Sequence, residues 1–441
     1  MTDFLCADDN FLNVGTSRIG SGAAILVIYW ILFVMIVSSF FRMLWTIYRH
    51  PGFIERGPSK HAATLEDEKT EQAPTELLER LSFPAPTLDD ILSKDVFVCQ
   101  PNGTPRWCTT CRIWRPDRSR HCREKNRCVL KLDHFCPWVG GVVSEQSMKY
   151  FILFNSYTFV YTIFDWVIAA VCMAQRDRQR SLDGNILAML ILGLFFMGLT
   201  GGIGFSAILN ALTNHTTVEN TAEPSGHRWT MALRVPSGQV VPDNVRTITF
   251  PSACANATSP DILREFLEHA SEKSLVTHLD HQNTNWAASR TDTGRTFAII
   301  TSDAFANPWD CGVYENWCQV MGHNILGWFL PIEVGSPWFS HRAYIPENTE
   351  NGTTSFSFFP TSVDVQIMRA RAGLIDLSTG EMSEYENRLA RRRAFPYLLG
   401  GAGAPRVRCL SVSQAFSLVL QLTCTALLET MGVFARRTTT A

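Results

Sequence analysis

Three long apolar runs punctuate a chain that is otherwise mixed. Residues 21–45, 150–174 and 185–212 are each long enough to supply the roughly 20 apolar residues that a helix needs to cross a hydrocarbon core. The first two are separated by a long polar stretch, the last two only by Gln175 to Gly184. The pattern predicts an α-helical multi-pass membrane protein, in which a transmembrane helix bundle carries a cysteine-rich domain and a polar C-terminal region. A weaker run, Leu410 to Leu428, is diluted by Ser, Thr and Gln. It reads as a buried or amphipathic tail helix, because polar residues at mid-bilayer are costly. The first run lacks a basic leader and is too long for a signal-peptide core, so it stays in the mature chain.

Basic residues near the helix ends set the orientation. Only Arg18 precedes the first span, among Asp3, Asp8 and Asp9, whereas Arg42, Arg49, Arg56 and Lys60 follow it. Lys and Arg accumulate on the cytosolic side. Residues 1–20 are therefore read as luminal, 21–47 as a span, 48–98 as a cytosolic linker and 99–149 as a cytosolic cysteine-rich domain. The spans 150–174 and 185–212 flank a luminal loop at 175–184, and the smaller basic excess of Arg176, Arg178 and Arg180 in that loop is outweighed. An integral membrane protein with its chemistry on the cytosolic face follows.

The linker opens with the helix breaker His50-Pro51-Gly52 and continues through Glu66-Asp67-Glu68 and Pro74 to Pro86, a composition that predicts little structure. In the C-terminal region 213–335, Trp229 to Val235 and Thr296 to Ile300 read as strands, and Ile262 to Leu275 has helical spacing. The variable tail 336–441, with Asn348 to Ser357 and Arg391-Arg392-Arg393, reads as surface loop or partly disordered chain.

Charge and cysteine content narrow the function. A formal charge of −2 and the lack of a basic binding stripe exclude a nucleic-acid partner. Asp165 alone offers no paired intramembrane charge of the kind transporters use. The 13 cysteines are odd in number. The cluster Cys108, Cys111, Cys122, Cys128 and Cys136 faces a reducing compartment, where metal binding or catalysis outweighs disulfide formation.

Cys108-x2-Cys111, His121 and Cys128 offer three thiolates and an imidazole, the donor set of a closed structural zinc site. Asp133-His134-Phe135-Cys136 contains the parts of an activated nucleophile. Cys136 attacks as thiolate, His134 takes the proton, and Asp133 fixes the imidazole and stabilises its charged form.

The run from Cys108 to Phe151, with Pro137-Trp138 after the nucleophile, resembles the core of the DHHC family of protein S-acyltransferases, Phe135 standing for the second His. Thr216-Thr217-Val218-Glu219 and the stretch Asn307 to Trp317 match two further family motifs. The resemblance implies ping-pong transfer of palmitate from palmitoyl-CoA through a Cys136 thioester to cysteines of membrane-associated protein substrates. It implies two interleaved zinc sites. The first is complete in Cys108, Cys111, His121 and Cys128, whereas the second falls on Cys122, Lys125, Phe135 and Val142, of which only Cys122 is a ligand. One zinc ion is expected, as in a fungal-type subgroup with a degenerate second site. The placement of Pro51-Gly52 equates the first span here with the family's second, leaving one span short of four. A catalytically inactive scaffold of the same architecture is the alternative.

Overall fold

Runs that are apolar on every side leave a helix no polar face to show to water, and each of the three becomes one long helix. In the computed structural model, residues 18–57, 82–177, 183–222, 228–268, 294–332 and 362–398 are described. The Leu410 to Leu428 run, Glu66 to Glu68 and Asn348 to Ser357 lie outside them. Helix α1 spans Arg18–Arg49, and after it come a short α2 at Leu88–Leu92 and β1 at Val96–Val98. The strands β2 (Trp107–Cys108), β3 (Ile113–Trp114), β4 (Arg120–Cys122), β5 (Arg127–Val129), β6 (Leu132–Cys136) and β7 (Gly141–Ser144) follow. Then come α3 (Met148–Asp177), α4 (Gly184–Thr213), α5 (Thr217–Ala222), β8 (Thr230–Arg234) and β9 (Thr247–Phe250). The remaining elements are α6 at 260–268, β10 (Arg295–Thr301), α7 (Val313–Met321), α8 (Val363–Arg371) and α9 (Thr379–Leu398).

Among the described residues three helices are long and apolar enough to cross a membrane: Gly22–Arg49, Met148–Ala174 and Gly184–Thr213. The chain is an integral membrane protein. Helices α3 and α4 approach closely because α4 carries small residues along the contact. A Cβ added at Gly201 would lie 2.7 Å from Phe159, and one at Gly204 3.3 Å from Asn155. Helix α1 packs on α3 through ring pairs Phe40–Phe154 and Tyr29–Tyr161, each 5.3 Å between centroids.

The cysteine-rich domain consists of three two-stranded antiparallel sheets, β2–β3, β4–β5 and β6–β7. Strands this short need tight reversals, and Arg112, Arg118, Asn126 and Lys131 adopt positive φ to make them. Beside them a four-stranded antiparallel sheet runs in the order β1-β8-β10-β9. Alternate residues of this sheet serve two cores. Phe97, Ala232, Phe297 and Ile299 face one core, with Leu88 and Trp114. Val96, Val98, Met231, Leu233, Ala298 and Ile300 face the other, with Trp309 and Val365.

The strands expected at 229–235 and 296–300 are both present, and the helical spacing at 262–275 is borne out over 260–268; the rest of it lies outside the described residues. The linker expectation is corrected at both ends. Phe53 bridges Val129 and Ile54 bridges Phe83, while Thr87 and Asp90 form a reciprocal capping box that starts α2. Val96-Phe97-Val98 is buried on both faces and serves as an edge strand. Arg391 to Arg393 lie in α9 rather than in a loop, because Tyr385 and Leu389, one turn apart, pack on Ile367 and hold that helix.

Candidate active site and metal centre

The β2–β3 turn and the β4–β5 hairpin bring four donors to one point. Cys108 Sγ, Cys111 Sγ and Cys128 Sγ lie 3.6, 3.3 and 4.0 Å from His121 Nδ1, and all four donor atoms lie within 4.8 Å of one another. A tetrahedral ion with bonds of about 2.3 Å to sulfur and 2.0 Å to nitrogen would separate S from N by about 3.5 Å, so the set fits zinc. Hydrogen bonding from Cys128 and the nearby His121 outweigh burial and lower the Cys111 thiol to about 5, favouring the thiolate that a metal takes.

The positions that the resemblance assigns to a second metal, Cys122, Lys125, Phe135 and Val142, meet in a different way. Cys122 is buried with Phe53, Val129, Leu132 and Val142, and Phe135 packs on them. The Lys125 ammonium sits 5.6 Å from the Phe135 ring centroid, a cation–π contact. Cys122 Sγ donates to Glu124 Oε2 at 3.3 Å, and burial raises its pKa.

Strand β6 carries the other cluster. Asp133 is buried, and its Oδ2 meets His134 Nδ1 at 2.7 Å. The same carboxylate accepts from the Thr217 amide at Oδ1 (2.9 Å) and from the Thr217 hydroxyl at Oδ2 (2.8 Å). Burial alone would lower the His134 pKa, but hydrogen bonding and charge from Asp133 and Cys136 raise it to about 9. Burial opposes ionisation of Cys136 too. His134 and the backbone N–H groups of Val139 and Trp138 overcome it, so this thiol lies below its ordinary value. The chemistry available is a thiolate–imidazolium pair, sustained by a carboxylate that is itself held by Thr217.

Around Cys136 the walls are apolar: Met43, Ile47, Val139, Phe151, Ala207 and Ala211 share its cluster. They come from α1, α3, α4 and the segment joining β6 to β7, so Cys136 sits where the cysteine-rich domain meets the helix bundle. Trp138 beside it is 86 % exposed.

A second set of buried polar residues ties the parts together. Arg118 donates to both carboxylate oxygens of Glu219, at 2.8 and 2.7 Å, and to the side chain and carbonyl of Asn214, both at 2.8 Å. Asn214 caps α4 in the left-handed conformation and donates to the Trp309 carbonyl. Asn307 reaches the Thr213 carbonyl and Asn316 the Leu212 carbonyl, each through Nδ2. Burial would raise the Glu219 pKa, yet Arg118 holds it at about 2. Sequence reasoning singled out the stretches holding Thr217, Glu219, Asn307 and Asn316 but not what they touch, and it missed Asn214 as a cap.

Comparison with known proteins agrees with this layout. The profile described as DHHC palmitoyltransferase matches residues 101–224, a range that includes the metal set, Asp133 to Cys136, and Thr216 to Glu219. A relative from Aspergillus fumigatus, palmitoyltransferase pfa5, is 34 % identical over 366 residues, covering 74 % of this chain and 77 % of its own. The pfa5 protein of Emericella nidulans is 33 % identical and covers 74 % of each chain. A probable protein S-acyltransferase of Arabidopsis thaliana is 29 % identical over 43 % of this chain and 46 % of its own. With similarity running through the Cys/His cluster, the strand that carries Cys136 and the two helices after it, this chain belongs to the DHHC palmitoyltransferase family.

Proposed function

We propose that the protein transfers palmitate from palmitoyl-CoA to cysteine thiols of membrane-associated proteins, with Cys136 as the acyl carrier, His134 as its base and Asp133 as the residue that orients His134. The observation that carries this reading is the chain of contacts in which Thr217 holds both Asp133 oxygens and Asp133 Oδ2 meets His134 Nδ1 at 2.7 Å, on the same strand as Cys136 in its apolar surroundings; the raised His134 and lowered Cys136 agree with it. In the first half-reaction the Cys136 thiolate attacks the thioester carbonyl, the bond to the CoA sulfur breaks, and the CoA thiolate takes the proton from the His134 imidazolium. In the second, neutral His134 accepts the proton of the substrate thiol. The new thiolate attacks the palmitoyl-Cys136 carbonyl and Cys136 leaves as thiolate, regenerating the starting pair. Each step exchanges one thioester for another, so acceleration comes from positioning and from stabilising the developing oxyanion.

Cys108, Cys111, His121 and Cys128 would hold one structural zinc, which ties β2–β3 to β4–β5 and supplies no reaction chemistry. The second site of the family is degenerate here, and the Cys122, Val142 and Phe135 packing takes over its bracing role next to His134. The cysteine-rich domain lies on the cytosolic face and residues 175–184 on the luminal one, as the basic residues after α1 indicate.

The test is incubation of the purified protein with an alkyne analogue of palmitoyl-CoA, followed by hydroxylamine. Label that hydroxylamine removes, and that Cys136→Ala abolishes, is expected. Wild-type protein that takes no such label while its metal is bound sinks the enzymatic reading and leaves a scaffold.

A further inference from the structure

Beyond Gly322 and His323, which follow α7, the chain reads Asn324-Ile325-Leu326-Gly327-Trp328-Phe329-Leu330-Pro331-Ile332, with no ionisable side chain between His323 and Glu333. Its large side chains point outward: Leu326 is 72 % exposed, Ile325 and Phe329 60 %, and Ile332 50 %. A contiguous patch of this kind marks an interaction surface rather than a water-facing one.

Two hydrogen bonds fix where this surface lies. Lys149 Nζ donates to the Ile332 carbonyl at 3.0 Å, and the Tyr157 hydroxyl donates to the Phe329 carbonyl at 2.5 Å. Both donors belong to α3, whose membrane-crossing stretch begins at Met148. At 1.5 Å per residue Tyr157 lies about 12 Å further along that helix than Lys149. Lys149 stands at the edge of the span next to Tyr150, whose hydroxyl accepts from Arg42 Nε at 3.4 Å. Arg42 and Lys149 thus mark the polar boundary on the side of the cysteine-rich domain. Phe329 is held well inside that boundary, and Ile332 is back at it.

Irregular backbone at such depth needs its polar groups satisfied internally. The Phe329 and Ile332 carbonyls accept from α3, and the Gly322 carbonyl accepts from Trp328 Nε1 at 2.6 Å. The Leu326 amide donates to Asn324 Oδ1 at 3.0 Å, and the Gly327 amide to the Asn324 carbonyl at 2.9 Å.

We propose that residues 325–332 form a re-entrant hook inserted among phospholipid acyl chains in the leaflet next to the cysteine-rich domain. The hook anchors α7 over the nucleophile. Trp328 contacts the Trp317 ring at 6.1 Å and the Tyr314 ring at 6.4 Å, and Trp317 and Val320 pack on the cluster that contains Cys136.

The experiment uses the full chain in phosphatidylcholine vesicles doped with a phosphatidylcholine that carries a diazirine on its acyl chain. After irradiation, lipid adducts are mapped by mass spectrometry. Adducts on 325–332 are expected at a yield comparable to Trp30, which is 57 % exposed on α1, and absent from Val240, 87 % exposed beyond β8. Adducts confined to the three long helices overturn the proposal and mean that protein covers the patch. The mapping involves no turnover, so its failure is separate from any failure of acyl transfer. Leu326→Asp combined with Phe329→Asp is expected to remove the adducts from 325–332 while the wild-type metal content is retained; unchanged adducts there would equally count against insertion.

Discussion

Thr217 grips Asp133 at both carboxylate oxygens, its amide donating to Oδ1 and its hydroxyl to Oδ2 across 84 positions of sequence. The first turn of α5, just past the third long helix, therefore sets where the His134 partner can point. Thr217→Val keeps the amide bond and the side-chain shape but removes the hydroxyl. Hydrogen bonds to a charged group contribute about 1.5–3 kcal/mol, so the rate of Cys136 acylation is expected to fall about 10- to 100-fold. Ser at this position restores most of the rate. Burst kinetics with palmitoyl-CoA measure it, and a Thr217→Val burst equal to wild type would remove Thr217 from the positioning role.

This contact shows why part of the site is legible in sequence and part is not. Asp133, His134 and Cys136 are neighbours on one strand, and the four residues of the Cys/His cluster come in close pairs, so local spacing reveals both. Thr217 and Glu219 form a recognisable string, but nothing local says that one grips Asp133 and the other Arg118. Arg118 itself is one of several arginines between Cys108 and Cys128, and only the fold shows that it and Arg127 are buried and that Arg118 is the one paired with Glu219. The long helices declare themselves by length, and β8 and β10 by short runs rich in apolar and β-branched residues. The three-residue β1 is hidden in a polar linker because its partner, β8, lies more than a hundred residues away.

The Arg118–Glu219 pair has side chains only 6 % and 3 % exposed. Removing one partner strands a buried charge and costs about 3–5 kcal/mol, so Arg118→Leu is expected to lower the thermal midpoint in detergent sharply. The double variant Arg118→Leu with Glu219→Leu is expected to lose less than the sum of the singles. Glu219 is depressed below its ordinary 4.5 to about 2. Its contribution to stability is therefore complete above pH 4.5 and is lost as the pH falls toward 2. Glu219→Gln should flatten that acid limb; an acid limb of wild-type slope in this variant would show that the pair does not control it.

Metal content distinguishes the two cysteine clusters. Elemental analysis of purified protein is expected to give about one zinc per chain. Cys128→Ser should lose that ion and unfold the domain, whereas Cys122→Ser should keep it, since Cys122 lies among Phe53, Val129, Leu132 and Val142. Two ions per chain, or loss of zinc in Cys122→Ser, would contradict this assignment of ligands.

The charge state of the nucleophile is open to a direct measurement. Cys136 lies below its ordinary 9.0 because His134 and two backbone N–H groups outweigh the effect of burial, while His134 is raised to about 9. Between the two titrations the pair exists as thiolate and imidazolium, and its apparent values belong to the pair rather than to either residue. The stabilisation tied to protonated His134 is fully present below its ordinary 6.5 and disappears as the pH climbs through about 9. Chloroacetamide alkylation of Cys136, followed by mass spectrometry across pH, is expected to show a midpoint below 9.0 in the wild type. His134→Ala removes the main counter-charge and leaves burial to dominate, so its midpoint should move up and its alkylation at pH 7 should fall. Asp133→Asn should move the midpoint the same way by a smaller amount, because imidazolium is then less favoured but not abolished. If all three proteins alkylate with one pH profile, the thiol ionises independently of His134, and the activation described for Cys136 is wrong.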